Sequence, residues 1–207
     1  MNKNITSAVI MANGEPPFHR IALDALRNAP FIVCCDGAIQ KLEALGFAPD
    51  ALVGDMDSID EERMKKYASV IHLNPSEEIC DFQKSILFCK NHGINDITIL
   101  GAMGMREDHA LANMSIMMMY AKDLNMRMIT NYGVFTPIYK TTSFSSFKGQ
   151  QVSVFAFDKV KITYHNLRYP VENKEFKYLW EGSLNEALGD EFTVEFEEGA
   201  VLVYQTH

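Results

Sequence analysis

Two aspartates separated by one residue stand behind a glycine in the run Gly54-Asp55-Met56-Asp57-Ser58. In an extended chain residues i and i+2 project to the same side, so this spacing lets both carboxylates face one cation. The ion that suits them is Mg²⁺, which is hard, takes one or two protein carboxylates and completes its shell with water or phosphate oxygens. Ser58-x-x-Glu61 also has the spacing of a capping box for a helix reaching Tyr67. Capping gives Ser58 and Glu61 a structural use, but it does not require a carboxylate at Asp55.

Two further segments could serve the same chemistry. Asp81-Phe82-Gln83-Lys84 opens a helix that runs to about Asn91, with an acid and a base three residues apart. As a solvated pair these would contribute only a few tenths of a kcal/mol, roughly 0.2–0.5. Gly101-Ala102-Met103-Gly104-Met105-Arg106-Glu107-Asp108-His109 is a glycine-containing loop between a strand and a helix. Asp108 there has the position of an N-cap. The same loop offers backbone donors, a guanidinium and a helix N-terminus, all suited to phosphate. No G-x-x-x-x-G-K-[ST] occurs, and after the first strand stands Asn13-Gly14-Glu15-Pro16-Pro17 in place of G-x-G-x-x-G. A P-loop kinase and a simple dinucleotide dehydrogenase are therefore disfavoured.

The elements that must position these groups are legible in the apolar pattern. Short β-branched runs occur at Ala8–Met11, Phe31–Cys34, Ala51–Val53, Val70–Leu73, Ile97–Leu100 and Met126–Ile129, and segments with a period near 3.6 lie between them. Alternating strand and helix signals imply a Rossmann-like parallel sheet with flanking helices, and the Asp55–Asp57 pair falls at a strand's carboxyl end, where such sheets place ligands. Ala110–Ala121 is apolar nearly all round, which predicts a buried helix, packed inside its domain or partly against another subunit. Beyond about Gly133 the period changes to two: Val152, Val154, Ala156, then Val160, Ile162, Tyr164, then Phe192, Val194, Phe196. That alternation predicts antiparallel strands in a small β-sandwich. The expected division is an α/β domain over 1–135 and a β-sandwich over 136–207.

Composition bounds the rest. A chain of 207 residues buries about 70% of its unfolded surface and needs no disulfide or metal staple. With 19 basic and 27 acidic residues the net charge is -8, which argues against a protein gripping nucleic acid or an anionic membrane through a basic face. Cys34, Cys35, Cys80 and Cys89 form no C-x-x-C pair and read as buried thiols of a reducing compartment. Met1-Asn2-Lys3-Asn4 and the short apolar stretch after it lack the form of a signal peptide, and no run approaches the roughly 20 residues of a membrane span. A cytoplasmic protein is expected.

Taken in order, Asp36-Gly37-Ala38, Gly54-Asp55-Met56-Asp57-Ser58, Asp81-Phe82-Gln83-Lys84, Gly104-Met105-Arg106-Glu107-Asp108-His109 with Asn113, and Gly182-Ser183-Leu184-Asn185 resemble the thiamin pyrophosphokinase family. The resemblance implies pyrophosphoryl transfer from ATP to the hydroxyl of thiamine, giving thiamine diphosphate and AMP. It also implies a homodimer whose sites lie between the α/β domain of one chain and the β domain of the other. Asp55, Asp57 and Asp81 would be the Mg²⁺ and phosphate-handling acids, and Asp36, Lys84, Arg106, Asp108 and Asn113 would line the nucleotide cleft. The first domain would thus be the catalytic, ATP- and Mg-binding one. Ser183 and Asn185, in the β-sandwich, would help hold thiamine. The chain departs from the family pattern at Cys80, where members often carry Thr, at Glu77-Glu78, and at Ile39-Gln40 after Asp36-Gly37-Ala38. Some members place a tryptophan in the last strand, where this chain has Val203 and Tyr204.

Two other readings stand beside this one. A Mg²⁺-dependent phosphohydrolase can use an Asp-x-Asp pair with one aspartate as nucleophile, usually after the first strand rather than a third. A non-catalytic nucleotide or thiamine sensor would bind its ligand without forming AMP.

Overall fold

The computed structural model describes residues 5–207; the reading of Met1–Asn4 lies outside them. The chain forms two compact units, the first ending at Asn131 and the second running from Tyr132 to His207. Thr136 and Pro137 lie within a strand of the second unit.

The first unit alternates strand and helix: β1 (Ser7–Met11), α1 (Arg20–Arg27), β2 (Ile32–Cys35), α2 (Ile39–Ala44), β3 (Ala51–Gly54), α3 (Glu61–Lys66), β4 (Ile71–Leu73), α4 (Asp81–Asn91), β5 (Asp96–Leu100), α5 (Glu107–Tyr120) and β6 (Asn125–Ile129). The strands pair in parallel in the order β6-β5-β1-β2-β3-β4. All four residues of β2 and of β3 are buried, as expected of a sheet with helices on both faces. Helix α4 packs on β1, β2 and β3 and buries Phe82, Ile86, Phe88 and Cys89. Truncating a side chain such as Ile86, wholly enclosed, to alanine costs about 2–5 kcal/mol. The chain reaches β4 at one edge, then returns through α4 to lay β5 on the far side of β1. Winding reverses there, and the carboxyl ends of the strands around such a reversal are where parallel sheets place ligands.

Two local expectations are corrected. The cap of α3 is Asp60, whose carboxylate accepts from the Arg63 amide at 2.9 Å. No Ser58–Glu61 capping box forms, because a carboxylate two residues later does the same work; Ser58 instead donates to Asp57 at 2.9 Å. Helix α5 begins at Glu107 with Arg106 at its cap, so Asp108 lies in its first turn and is not the cap. That helix buries only Met117 and Met118, while Leu111 and Met119 stand 65% and 58% exposed. Apolar residues spread evenly round a helix give it no preferred face, and α5 packs against α4 along one side.

The second unit holds β7 (Gly133–Ile138), β8 (Thr142–Ser145), β9 (Gln151–Ala156), β10 (Lys161–His165), β11 (Lys174–Glu175), β12 (Asn185–Glu186), β13 (Glu191–Glu195) and β14 (Val201–Thr206). They form two antiparallel layers, β12-β9-β14-β7 and β11-β10-β13-β8. Val152, Val154, Val201 and Val203 of one layer and Ile162, Tyr164, Phe192 and Val194 of the other share one core, so the period-two segments do build a sandwich. Among the described residues no helix is long and apolar enough to cross a membrane. All four cysteines are free, and three are buried.

Candidate active site

The acidic residues gather where the parallel strands end. The turn after β1 is joined to the turn after β5 by Gly14 N–H donating to Gly101 O at 2.5 Å and Glu15 N–H donating to Met103 O at 2.7 Å. Between them and the ends of β2 and β3 lies a cleft of about 430 Å³, lined by Asp36, Lys41, Ser58, Asp81, Arg106 and His109 among others.

Asp36 follows β2 directly and is 1% exposed. Its carboxylate accepts from the amides of Gly37, at 2.5 Å, and Met56, at 2.9 Å. Burial, and next the negative charge of Asp81, push its pKa up to about 7 against the opposing pull of those two amides. Gly54 makes this approach possible, since a Cβ there would lie 2.5 Å from Cγ of Asp36.

Asp55 and Asp57 are brought to one side by a turn, not by extended chain as the spacing suggested. Met56 between them is left-handed, with φ 68°, and the Asp57 amide donates to Asp55 Oδ1 at 3.2 Å. Single oxygens of Asp36, Asp55 and Asp57 all lie within 4.8 Å of one another. That amide, and then Lys84, hold the Asp55 carboxyl below its usual range.

Lys84 reaches these acids from below, on α4. Its ammonium is 2.9 Å from Asp81 Oδ1 and 3.2 Å from Asp55 Oδ2, and the side chain is 2% exposed. Burial works against its charge, but the two carboxylates outweigh that and raise its pKa. Lys84 is thus an internal counter-ion of the acids, joining Asp81 to the Asp36–Asp55–Asp57 group.

Across the cleft Arg106 grips Asp108 through Nη2 at 2.6 Å and Nε at 3.1 Å, and the guanidinium holds that carboxyl down at about 2. Both side chains are exposed, 70% and 62%, so either can turn toward a ligand at small cost. Asn113 donates to Ala102 O at 2.8 Å and ties α5 to the loop after β5. Ser183 and Asn185 belong to the second unit. Asn185 is 4% exposed and bonds both backbone groups of Tyr169, at 3.0 and 2.8 Å, while Ser183 Oγ donates to Trp180 O at 2.7 Å.

Sequence reasoning passed over Lys41. It stands in the first turns of α2, and its Nζ donates to the carbonyls of Asn13, at 2.7 Å, and Gly14, at 2.8 Å. Helical side chains lean toward the helix N-terminus, so a lysine soon after Asp36-Gly37 could have been read as reaching back over the strand ends.

The oxygen-only set of Asp36, Asp55 and Asp57, flanked by Asp81, fits a hard divalent cation that keeps open positions for phosphate oxygens. A crevice at the reversal of a parallel sheet, lined by acids, lysine and arginine, is suited to handling phosphate groups.

Comparison with known proteins gives matches over most of the chain. The family model for the thiamin pyrophosphokinase catalytic domain matches residues 22–129, and that for the substrate-binding domain of the same family matches residues 133–204. A thiamin pyrophosphokinase of Caenorhabditis elegans is 30% identical over 125 residues, 56% of this chain and 51% of that protein. The chain thus spans about half the length of the curated relative it matches. Among solved structures, the thiamin pyrophosphokinase of Candida albicans superposes with TM-score 0.82 at 17% identity, over 99% of this chain and 90% of that one. The thiamine pyrophosphokinase of Bacillus subtilis does so with TM-score 0.79 at 20% identity, over 96% and 98%. These two share the fold.

Proposed function

The chain belongs to the thiamin pyrophosphokinase family, and we propose that it transfers a pyrophosphoryl group from ATP to the hydroxyl of thiamine, giving thiamine diphosphate and AMP. The single observation that carries this is the convergence of Asp36, Asp55 and Asp57 oxygens within 4.8 Å, at the strand ends beside the cleft where a nucleotide's phosphates would lie. Neither the phosphohydrolase nor the sensor is favoured by any feature of the site.

In this reading residues 1–135 hold nucleotide and residues 136–207 hold thiamine, with Ser183 and Asn185 near it. Asp55 and Asp57, with Asp36 and Asp81, would hold Mg²⁺, which when bound neutralises charge on the β- and γ-phosphates. The thiamine oxygen attacks the β-phosphorus, the bond from that phosphorus to the oxygen bridging the α-phosphate breaks, and AMP leaves carrying that oxygen. Such transfers depend on positioning and on charge balance across the phosphates. The protein's part is to fix the acids before substrate arrives. Gly37 and Met56 amides aim Asp36, Lys84 separates Asp55 from Asp81, and Asn113 steadies the loop carrying Arg106. Arg106, exchanging Asp108 for phosphate, would bind the transferred group, and one of the carboxylates would accept the hydroxyl proton.

We place the enzyme in the cytosol, where its free thiols would stay reduced. We also take it to act as a homodimer, each active site drawing on both chains; the apolar residues α5 leaves exposed, Leu111 and Met119, support a covering partner. Incubation with ATP, Mg²⁺ and thiamine, with AMP resolved from ADP, tests the activity. AMP formed only when thiamine is present is the expected result; ADP, or phosphate released without thiamine, would overturn it.

A further inference from the structure

Three cationic side chains reach the acidic end of the first unit, and they differ in what balances them. Lys84 is held by Asp55 and Asp81, and Arg106 by Asp108. Lys41 meets only neutral acceptors: the Asn13 carbonyl at 2.7 Å, the Gly14 carbonyl at 2.8 Å and the Met105 sulfur at 3.1 Å. Among the described residues no carboxylate pairs with it.

Two carbonyls can aim an ammonium, but they cannot cancel its charge. A thioether is a weak acceptor, and Met105 is itself 62% exposed, so the contact made by the third proton is easily exchanged. A phosphate oxygen would be a far stronger partner, through a charge-assisted hydrogen bond. The cleft also needs such a group. Asp36, Asp81 and Arg106 share its wall with Lys41, and an arriving polyphosphate meets acids whose neighbouring cations are already paired.

We infer that Lys41 is a nucleotide-phosphate ligand, preset by the Asn13 and Gly14 carbonyls and exchanging the Met105 sulfur for a phosphate oxygen of a nucleoside triphosphate. This rests on the reading of the cleft as the ATP site. It gives the turn after β1 a task that its lack of a glycine fingerprint had hidden: its carbonyls orient a lysine, where the fingerprint's amides would contact phosphate directly.

Replacement by glutamine, whose amide is neutral and one atom shorter, removes the charge. The melting temperature read beside it, with the charge-keeping arginine variant, separates this role from mere bracing. Binding of the α,β-methylene analogue of ATP with Mg²⁺, followed by calorimetry, is expected to weaken at least about 10-fold in Lys41→Gln with an unchanged melting temperature. Lys41→Arg should stay within about threefold of wild type, since the charge is kept. In the unaltered protein, saturating analogue should protect Lys41 from acylation, read by peptide mass spectrometry. Wild-type affinity in Lys41→Gln, or acylation of Lys41 unaffected by the analogue, overturns the inference while leaving the proposed activity standing. A wild-type chain that neither binds the analogue nor forms AMP overturns both.

Discussion

The Met56 amide donates to the Asp36 carboxylate across 2.9 Å, fastening the turn that carries Asp55 and Asp57 to the end of the neighbouring strand. The geometry of the acid cluster is therefore a property of two adjacent parallel strands. Asp36 comes from the end of β2 and the pair from the end of β3, which lie side by side in register. The left-handed backbone at Met56 is what turns that amide inward while leaving both flanking carboxylates on one side. For a residue with a Cβ this conformation costs of order 1 kcal/mol, and the bond to Asp36 helps offset it.

Gly54→Ala should disrupt the site from beneath. The new methyl would lie 2.5 Å from Cγ of Asp36, so the carboxylate is displaced from both its amide donors. A stability loss of about 1–3 kcal/mol and a fall in AMP formation of at least about 10²-fold are expected. Denaturant unfolding together with the thiamine-dependent assay checks both, and a stable, active Gly54→Ala would count against the contact.

Asp57→Asn changes an exposed side chain whose protein partner is Ser58. It should leave the melting temperature within a degree or two and cut turnover by about 10²-fold or more, as expected for loss of an electrostatic contact to the reacting phosphates. Near-wild-type turnover in the folded variant would remove Asp57 from the proposed chemistry.

Lys84→Met fills the same space without the charge, leaving Asp55 and Asp81 unbalanced beside Asp36. The two acids are each about one-third exposed, so solvent blunts the penalty, to about 2–3 kcal/mol. Mg²⁺ should restore more stability to this variant than to the wild type, because a bound cation replaces the lost one. Equal Mg²⁺ stabilisation of the two proteins would show that Lys84 and the metal act on different groups.

The acid limb of stability should depend on Glu43, a carboxylate of α2 outside the cleft lining. Arg63 Nε, Lys66 Nζ and the Tyr67 hydroxyl all donate to it, at 2.6, 2.6 and 2.9 Å. The bonds from Lys66 and then Arg63 hold its carboxyl at about 2, below its usual 4.5. A depressed folded pKa means stabilisation that is complete above pH 4.5 and is lost as pH falls toward 2. Glu43→Gln should therefore lose about 1–2 kcal/mol at neutral pH and show a shallower decline between pH 5 and pH 2, measured by chemical denaturation. An unchanged slope would mean that the three donors do not act on Glu43 in solution.

The fold was legible because hydrophobic period is a one-dimensional signal. β2 and β3 read as unbroken apolar runs, and Val152, Val154, Phe192 and Val194 alternate as a half-buried sheet requires. That Asp55 and Asp57 stand on one side was also legible, from type and spacing, though a turn rather than extended chain brings them there. What could not be read was anything decided by a bond between distant residues. The left-handed Met56 depends on Asp36, twenty positions away. Lys84, a cation that seemed available to phosphate, is taken up by Asp55 and Asp81. For Lys41 the position soon after Asp36-Gly37 hints at a side chain reaching back over the strand ends, but its partners, backbone carbonyls of a loop 27 and 28 residues earlier, carry no side-chain signature. Helix α5 reads as buried from its composition, which reports how apolar a helix is and not what covers it; within this chain it buries only Met117 and Met118.

The most direct test of the proposed transfer follows the phosphorus atoms themselves. With ATP, Mg²⁺ and thiamine, ³¹P spectroscopy should show the ATP signals replaced in equal amounts by AMP and by a coupled diphosphate. The label of ATP marked at the β-phosphorus should reside in the phosphate bonded to thiamine. Label recovered in ADP, or in free phosphate whether or not thiamine is present, would contradict the account.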